Sequence, residues 1–478
     1  MLKTPKNFPP AMLQQISSEL AVRYRVIPFS LTDNRMELIC GEDVNLIELQ
    51  EELQVILGRD VSLTTVGEEE LSRLLSTHYL GQSNQVDSPT ELSSISAGGD
   101  FLITLIDEAR RLKSSDIHIE AFEKSGRVRI RIDGMMIERY RVEKTDYPSL
   151  VNKIKIMANL DIAEKRLPQD GRIQFRSSVH GDFDIRVSVL PTLHAEKIVL
   201  RLLSNSSADI DLNALGLSAE DMFNYMQGIQ RPNGIILISG PTGSGKTTTL
   251  YATLKLLNKS TRNILTIEDP IEYTLEGVNQ VQLKENIGLG FASALRTFLR
   301  QDPDVIMVGE IRDPETANMA IRAALTGHLV LSTIHTNSAW GTISRLIDMG
   351  IPGFLVANTL NTTIAQRLVR MLCPSCKKEA AFDSSAYPRQ FRAPILLTTH
   401  FLAAGCTECY FTGYKGRKAV YEVIPVDAEL SNEIKAGNMS AGVLLKERNI
   451  KTLAENAFLL FSKGQTSLEE IFPLLLNV

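Results

Sequence analysis

The sequence predicts an α/β protein of several domains, and three features of the chain indicate it. An apolar run, a glycine-rich turn and a helix-forming stretch follow one another in residues 235–252, IILISGPTGSGKTTTLYA. A region of alternating apolar and charged residues, typical of an antiparallel sheet, comes before it, and two C-x-x-C pairs come after it. The length of 478 residues suggests about three domains, and 44% hydrophobic residues are enough to form their cores.

Charge and apolar patterning restrict where such a protein works. The formal net charge of −5 disfavours a protein built mainly to bind nucleic acid, since such proteins usually carry a strongly basic domain. No apolar run approaches the roughly 18 residues needed to span a bilayer, and the start MLKTPKNFPPAML lacks the apolar core of a signal peptide. We therefore expect a cytoplasmic protein. Four of its five cysteines form the two pairs, and Cys40, at the end of the strand-like MELIC, is most simply a small core residue.

The first segment, residues 1–80, mixes helical and extended patterns without a catalytic grouping. Its amphipathic stretches are 11–20, 45–57 and 68–80, and its strand-like stretches are 24–27 and 36–39. A small α/β docking domain is the favoured interpretation, and a merely stabilising extension is the alternative. Residues 81–99, GQSNQVDSPTELSSISAGG, predict a flexible linker because a composition rich in Ser, Gly and Pro cannot support a core.

Residues 100–213 predict an α+β domain with an antiparallel sheet. The amphipathic helix FLITLIDEARRLKSS comes first, and a second helix is predicted at 149–160. The predicted strands are SDIHIEAF, VRIRIDG, IQFRSSVH, FDIRVSVLP and EKIVLRLL. Arg172 follows LPQDG at a predicted turn, and Arg186 lies within a strand, so both side chains could project toward a neighbouring nucleotide. A solvated charged face is the alternative.

The glycine-rich turn has the fixed pattern of a phosphate-binding P-loop. It fits G-x-x-x-x-G-K-[ST], which places glycine where backbone N–H groups converge on phosphate oxygens and no Cβ is tolerated. Lys246 should reach the β- and γ-phosphates, and Thr247 should bind Mg²⁺. A turn that binds nothing is the alternative, which the flanking strand and helix disfavour. The predicted nucleotide-binding residues are Gly240, Pro241, Thr242, Gly243, Ser244, Gly245, Lys246, Thr247 and Thr248.

Acidic residues end the strands that follow the P-loop, within a predicted nucleotide-binding core at 214–370. NILTIEDPIEY turns acidic at its end, and DVIMVGEIRD leads through four apolar residues and a glycine to Glu310, at the Walker B position. Carboxylates at this end of parallel strands are placed to bind Mg²⁺ or to orient water. His328 and His335 bracket a third strand, HLVLSTIHTN, and are predicted to contact the nucleotide, with structural histidines as the alternative. The acidic residues after the first of these strands are Glu268, Asp269 and Glu272.

The two C-x-x-C pairs predict a structural zinc site in a subdomain at 371–416. Cys373 and Cys376 form one pair and Cys406 and Cys409 the other, with 29 residues between the pairs. Four thiolates suit a tetrahedral Zn²⁺ and leave no open position for catalysis, and the reducing cytoplasm disfavours disulfides. Residues 417–478 predict the strand AVYEVIPV, followed by helices that complete the core.

Several long motifs, in a fixed order over nearly the whole chain, resemble those of the type II secretion and type IV pilus assembly ATPases. These motifs are SSDIHIE, RIDG, DIAEKRLPQDGR, GPTGSGKT, TIEDPIEY, LRQDPDVIMVGEIRD, TGHLVLSTIHTN, IAQRLVR and the four cysteines. The resemblance implies a RecA-like P-loop ATPase domain with a preceding α+β domain, an N-terminal docking domain and a small zinc-binding subdomain. It also implies ATP, Mg²⁺ and Zn²⁺ as cofactors.

The resemblance further implies a machine and a role for each site residue. The machine is a homo-hexameric ring, peripheral at the inner membrane of a bacterium. It extends a pilus or pseudopilus on an inner-membrane platform protein, and its N-terminal domain binds a membrane-anchored adaptor. By motif position Glu272 matches the catalytic glutamate and Glu310 the Mg²⁺-site carboxylate, but the reverse assignment stays open because sequence gives order and not distance. Arg172 and Arg186 become candidates to complete a neighbouring subunit's site. Alternatives are a P-loop motor on nucleic acid, which is not an expected partner, a DNA-uptake pilus motor, and a switch that only binds nucleotide.

Overall fold

A computed structural model describes most of the chain from residue 101 onward and part of the N-terminal segment. The described residues are 16, 20–21, 24–31, 35–42, 44, 46–57, 59–67, 70–71, 74–75, 101–177, 181–203, 211–438 and 442–476. Two compact units are distinguished: the described residues of 1–91, 373–378 and 403–413 form one, and those of 92–372, 379–402 and 414–478 form the other. The predicted helices at 11–20 and 68–80 lie largely outside the described residues, and the predicted linker at 81–99 lies wholly outside them.

The N-terminal part of the first unit is a three-stranded sheet with one helix. Its elements are β1 (Ile27–Leu31), β2 (Arg35–Gly41), α1 (Leu46–Leu57) and β3 (Asp60–Val66). β2 lies in the middle, antiparallel to β1 and parallel to β3, since α1 returns the chain to the end of the sheet where β2 began. Leu38 and Cys40 are buried in the core, as expected for Cys40. The first strand begins at Ile27 and not at Tyr24, because Arg25 has a φ of 52°, which an extended strand does not adopt.

The predicted α+β domain is present in the second unit as a six-stranded antiparallel sheet. Its elements are α2 (Phe101–Arg111), β4 (Asp116–Ala121), β5 (Ser125–Ile132), β6 (Met135–Glu143), α3 (Tyr147–Met157), β7 (Gln169–Ser177), β8 (Gly181–Pro191) and β9 (Glu196–Leu202). The strand order is β6-β5-β4-β9-β8-β7. Alternate side chains, such as Ile117 and Ile119 of β4, pack with Leu105 of α2 and Ile154 of α3 in one core, so a single face of the sheet is buried.

Two details of this sheet differ from the prediction. β6 was not predicted, because only Val142 among its residues is buried and its apolar alternation is therefore weak. Arg172 lies within β7, directly opposite Arg186 of β8, and not at a turn. Residues directly opposite in an antiparallel pair share a face, so both guanidinium groups project from the polar face of the sheet.

The core of the second unit is a seven-stranded sheet with helices on both faces. Its elements are α4 (Ala219–Ile229), β10 (Gly234–Ser239), α5 (Lys246–Leu257), β11 (Ile264–Glu268), β12 (Asn279–Gln282), α6 (Phe291–Phe298), β13 (Val305–Val308), α7 (Pro314–Leu325), β14 (Leu329–Ile334), α8 (Gly341–Asp348), α9 (Gly353–Thr359), β15 (Leu360–Leu372), β16 (Lys378–Ala381), β17 (Thr399–Leu402), β18 (Tyr414–Pro425), α10 (Ala428–Lys435), α11 (Gly442–Glu447), α12 (Leu453–Ser462) and α13 (Leu468–Leu475). The sheet order is β12-β11-β13-β14-β10-β15-β18, and β16 pairs with β17 in a separate small sheet.

The parallel arrangement of β10 to β15 brings distant segments to one edge of the large sheet. β10 is buried along its whole length, which explains why it reads as a continuous apolar run. Because β11, β13, β14 and β10 run parallel, the residues that follow their carboxyl ends meet at the same edge. The P-loop, the acidic loop, Glu310 and His335 follow these four strands.

The C-terminal segment closes the sheet and adds helices. β18 begins at Tyr414, earlier than predicted, and pairs antiparallel with β15. α12 begins with a capping box, in which Thr452 and Glu455 bond each other's backbone N–H groups. These features confirm the predicted α/β fold. None of the described helices is both long enough and apolar enough to cross a membrane.

Candidate nucleotide-binding site and cysteine cluster

Glycines shape the loop between β10 and α5. Gly240 has a φ of 151°, and a Cβ there would stand 2.5 Å from the Gln366 carbonyl oxygen and 2.7 Å from the Ser244 hydroxyl. Gly245 has a φ of 87° and immediately precedes α5. Only glycine takes both positions without strain. The loop therefore ends at a helix N-terminus, where unbonded N–H groups and the helix dipole favour an anion.

The Lys246 ammonium lies inside this loop. It donates hydrogen bonds to the carbonyl oxygens of Gly240, at 2.8 Å, and Pro241, at 3.1 Å. Burial lowers the pKa of Lys246, the nearby negative charge of Glu310 opposes this lowering, and the positive charge of Arg367 adds to it. Pro241, Thr242, Gly243 and Thr247 are exposed, Gly245 and Thr248 are half-buried, and Ser244 is buried.

Gln366, which the sequence analysis did not single out, holds the loop from the side of β15. Its amide donates to the Ser244 carbonyl at 2.9 Å and accepts from the Thr249 hydroxyl at 2.8 Å. The side chain is buried, so both bonds are shielded from water. The signal in the sequence is the motif IAQRLVR, in which Gln366 is the third residue.

Glu310 lies at the edge of the sheet, between two basic side chains. It forms an ion pair with Arg312, and its other oxygen lies 3.5 Å from Nε2 of His335. The Glu310 side chain is 14% exposed, so these contacts fix its orientation. The structure thus brings Glu310, His335 and Lys246 to the same edge.

Glu272 lies in the acidic loop after β11, facing the α+β domain of its own chain. Its carboxylate is 3.8 Å from the Arg186 guanidinium, which also donates to the Ile271 carbonyl at 3.0 Å. Arg172 instead pairs with Asp184, and its Nε donates at 3.0 Å. A cleft of about 810 Å³ opens here, and its lining residues include Asp170, Arg172, Asp184, Arg186, Glu272 and Gln282. Arg186 therefore contacts the acidic loop of its own chain, and a role for Arg172 or Arg186 at a neighbouring subunit's site stays a prediction.

Two residues predicted to act at the nucleotide lie elsewhere. Glu268 is buried and bonded to the Tyr251 and Thr266 hydroxyls, so it does not face the edge with Glu272. His328 precedes β14, and because β14 runs parallel to β10, this end of the strand is roughly 20 Å from the P-loop edge. Its Nδ1 lies 2.9 Å from the Ala323 carbonyl oxygen, a contact that fits the structural alternative.

The four cysteines of the two pairs converge with the geometry of a tetrahedral metal site. The sulfur atoms of Cys373 and Cys406 are 3.9 Å apart, those of Cys376 and Cys409 are 3.8 Å apart, and those of Cys406 and Cys409 are 3.7 Å apart. Around Zn²⁺ with Zn–S bonds of about 2.3 Å, a tetrahedron places sulfurs about 3.8 Å apart. A disulfide would need about 2.05 Å, and all four thiols are free.

Local backbone geometry supports this cluster. Cys409 Sγ accepts hydrogen bonds from the backbone N–H of Cys406, at 3.1 Å, and of Gly413, at 3.3 Å. Gly413 has a φ of 76°, which a side chain would strain. Burial raises the pKa of Cys376 to about 12 and also raises the pKa of Cys409. The cluster is compatible with zinc.

Comparison with known proteins identifies the family. Residues 98–473 match the family described as type II/IV secretion system protein, and residues 4–85 match the MshEN domain. The chain belongs to the type II/IV secretion system protein family. With its P-loop, this secretion protein is an ATPase.

Relatives of this secretion ATPase span nearly its whole length. The type IV pilus assembly ATPase PilB of Myxococcus xanthus is 38% identical, over 97% of this chain and 86% of that protein. The type II secretion system protein E of Dickeya dadantii is 42% identical, over 91% of each chain. Among solved structures, the pilus retraction motor PilT with bound ADP is 27% identical with a TM-score of 0.53, over 78% of this chain and 96% of that one. The ATPase DotB of Legionella pneumophila, at 23% identity and a TM-score of 0.60 over 79% of this chain and 96% of that one, shares the fold.

Proposed function

We propose that this secretion ATPase works in the bacterial cytoplasm as a homo-hexamer, hydrolysing ATP to drive assembly of a pilus or pseudopilus at an inner-membrane platform. The observation that carries the proposal is the convergence of Lys246, Glu310 and His335 at the P-loop edge of the sheet. This convergence supports nucleotide hydrolysis. The relatives, which include a pilus assembly ATPase and type II secretion proteins, support a motor.

The P-loop residues are proposed to bind ATP through its phosphates. Lys246 would exchange its bonds to two loop carbonyls for bonds to phosphate oxygens, since its ammonium already lies within the loop. The exposed Thr247 hydroxyl in the first turn of α5 and the Glu310 carboxylate offer oxygen ligands that suit Mg²⁺. When bound, Mg²⁺ neutralises the negative charge that develops on the phosphates during transfer.

Glu272 is proposed to orient the attacking water and to accept its proton. Its side chain is 35% exposed in a cleft, and the Arg186 guanidinium lies 3.8 Å from its carboxylate. Glu310 is less suited to that role because its side chain is only 14% exposed, whereas that of Glu272 is 35% exposed. We therefore assign Glu310 to Mg²⁺ and Glu272 to water.

The remaining regions are proposed to connect this chemistry to a machine. Residues 1–80 would dock on a membrane-anchored adaptor. Residues 100–213 would transmit motion through the contact between Arg186 and the acidic loop. Residues 371–416 would hold a structural zinc. Residues 81–99 would tether the docking domain, while 214–370 and 417–478 would form the RecA-like core. Arg172 and Arg186, which both line the cleft, remain candidates to complete a neighbouring subunit's site.

Ring-dependent turnover tests this proposal. Purified protein should release phosphate steadily from MgATP, and turnover per subunit should rise with protein concentration in parallel with hexamers seen by light scattering. Lys246→Ala should abolish turnover because the charge that binds the β- and γ-phosphates is lost. Concentration-independent turnover by monomers would contradict the ring, and near-normal turnover of Lys246→Ala would contradict the P-loop assignment.

A further inference from the structure

A buried polar cluster, formed by Tyr251, Glu268 and Gln280, joins the P-loop helix to the acidic loop. Tyr251 lies on α5, Glu268 is the last residue of β11 and Gln280 lies in β12, so the three residues surround the loop that carries Glu272. Tyr251 is fully buried, and Glu268 is 3% exposed. These three side chains have no direct role in the proposed hydrolysis mechanism.

The Glu268 carboxylate is the centre of the cluster. One oxygen accepts from the Tyr251 hydroxyl, and the other accepts from the Thr266 hydroxyl at 2.6 Å and the Gln280 amide at 3.1 Å. A buried carboxylate with three donors is compensated and held in one orientation. Glu268 therefore fixes the directions of the Tyr251 hydroxyl and the Gln280 amide.

The same hydroxyl and amide hold the backbone of the acidic loop. The Tyr251 oxygen accepts the backbone N–H of Glu272 at 3.3 Å. Gln280 donates to the Tyr273 carbonyl at 2.9 Å and accepts the Leu275 N–H at 2.7 Å. Backbone groups of Glu272, Tyr273 and Leu275 are thus bonded to the cluster.

The chemistry of Tyr251 suits this arrangement. Its hydroxyl donates a hydrogen bond to Glu268, which leaves the lone pairs of the hydroxyl oxygen to accept from the Glu272 N–H. Burial, and then the adjacent Glu268 charge, raise the pKa of Tyr251, so the hydroxyl stays protonated at neutral pH. The ring packs edge-on against Tyr273 with centroids 5.4 Å apart, which further fixes its position.

We propose that Tyr251, Glu268 and Gln280 are positioning residues that set the place of Glu272 relative to the bound phosphates. The inference rests on the proposed role of Glu272 in hydrolysis. α5 begins at Lys246, and Tyr251 lies five residues further on, about 7.5 Å along the helix. The cluster therefore links the helix that binds phosphate to the carboxylate that orients water.

Tyr251→Phe tests the link with the loss of a single hydroxyl. We expect kcat to fall about 10- to 100-fold while KM for ATP changes less than about twofold, since the phosphate contacts remain and only the placement of Glu272 is relaxed. Tyr225→Phe is the matched control, because Tyr225 is also fully buried and its hydroxyl also bonds α5, through Thr253 at 2.6 Å, but not the acidic loop. The control should keep the wild-type kcat.

Further variants separate this inference from the proposed function. Gln280→Met, at a half-buried position, should give the same selective loss of kcat even if Tyr251→Phe folds poorly. In a Glu272→Gln background, Tyr251→Phe should add little further loss, whereas additive losses would overturn action through Glu272. Wild-type kcat in both Tyr251→Phe and Gln280→Met, with Glu272→Gln inactive, would overturn the positioning role alone. Near-normal turnover of Glu272→Gln would instead overturn the proposed role of Glu272.

Discussion

Replacing Gln366 by leucine should loosen the P-loop without touching its consensus residues. The change removes the donor to the Ser244 carbonyl and the acceptor for the Thr249 hydroxyl. The leucine side chain is apolar and of similar size, so it fills the same space. Leaving the buried Ser244 carbonyl without its partner costs about 1–3 kcal/mol. The Thr249 loss is smaller, because its hydroxyl is also 3.5 Å from the Gly245 carbonyl oxygen. A decrease of about 1–3 kcal/mol in unfolding free energy lowers Tm by about 2–12 °C for a domain of this size.

The nucleotide affinity gives the sharper readout. Ordering a loosened loop on binding should raise the Kd for MgADP about tenfold, which corresponds to about 1.4 kcal/mol. Thermal unfolding and calorimetric titration measure the two quantities. Gln390→Leu is the control, because Gln390 is exposed and its amide donates to the Leu476 carbonyl at 3.1 Å, away from the P-loop. Unchanged Tm and Kd in Gln366→Leu would refute the inference that Gln366 holds the loop.

Three further predictions concern the cysteines, Gly240 and Arg186. Elemental analysis should find one zinc per chain, and the double variant Cys406→Ser with Cys409→Ser should lose it. The double variant should unfold the local subdomain more than it weakens nucleotide binding. Retained zinc would refute the assignment. Gly240→Ala should abolish nucleotide binding, because the added Cβ would stand 2.5 Å from a backbone oxygen. Gly134→Ala is the control, because a Cβ at position 134 meets nothing within 4 Å. The control should lose only the roughly 1–2 kcal/mol of unfolding free energy that a positive φ costs. Mixing Arg186→Ala subunits with Lys246→Ala subunits should restore no turnover if Arg186 acts within its own chain, while recovery in proven mixed hexamers would support donation across subunits.

The sequence was most informative where a residue type is dictated by backbone geometry or by burial. Glycine is required at positions 240 and 245 by their positive φ, and residues 235–238 of β10 are apolar because both faces of the strand are covered. The cysteine pairs likewise predicted a cluster whose sulfur spacing depends on short local turns. In each case the sequence pattern itself, a turn, a strand or a C-x-x-C pair, spans about ten residues of chain or fewer.

The sequence was least informative where distance across the fold decides the role. Glu268 and Glu272 are close in the sequence, yet one is buried beside Tyr251 and the other faces Arg186. His328 and His335 flank one strand, but only the residue after its carboxyl end reaches the P-loop edge. Gln366 lies more than a hundred residues from the loop that it bonds, and the motif IAQRLVR alone does not reveal that contact.

The most direct test of the central claim is to measure MgATP binding and hydrolysis separately in Glu272→Gln and Glu310→Gln. The structure places Glu272 in the cleft beside Arg186 and Glu310 near Lys246, so loss of the first should spare binding and loss of the second should weaken it. We expect Glu272→Gln to bind MgATP with nearly wild-type affinity and to lose about 10²- to 10⁴-fold in turnover, as for a general base. If Glu272→Gln instead fails to bind Mg-nucleotide while Glu310→Gln binds it well, the two roles are exchanged. Wild-type turnover in both variants would contradict the account of hydrolysis altogether.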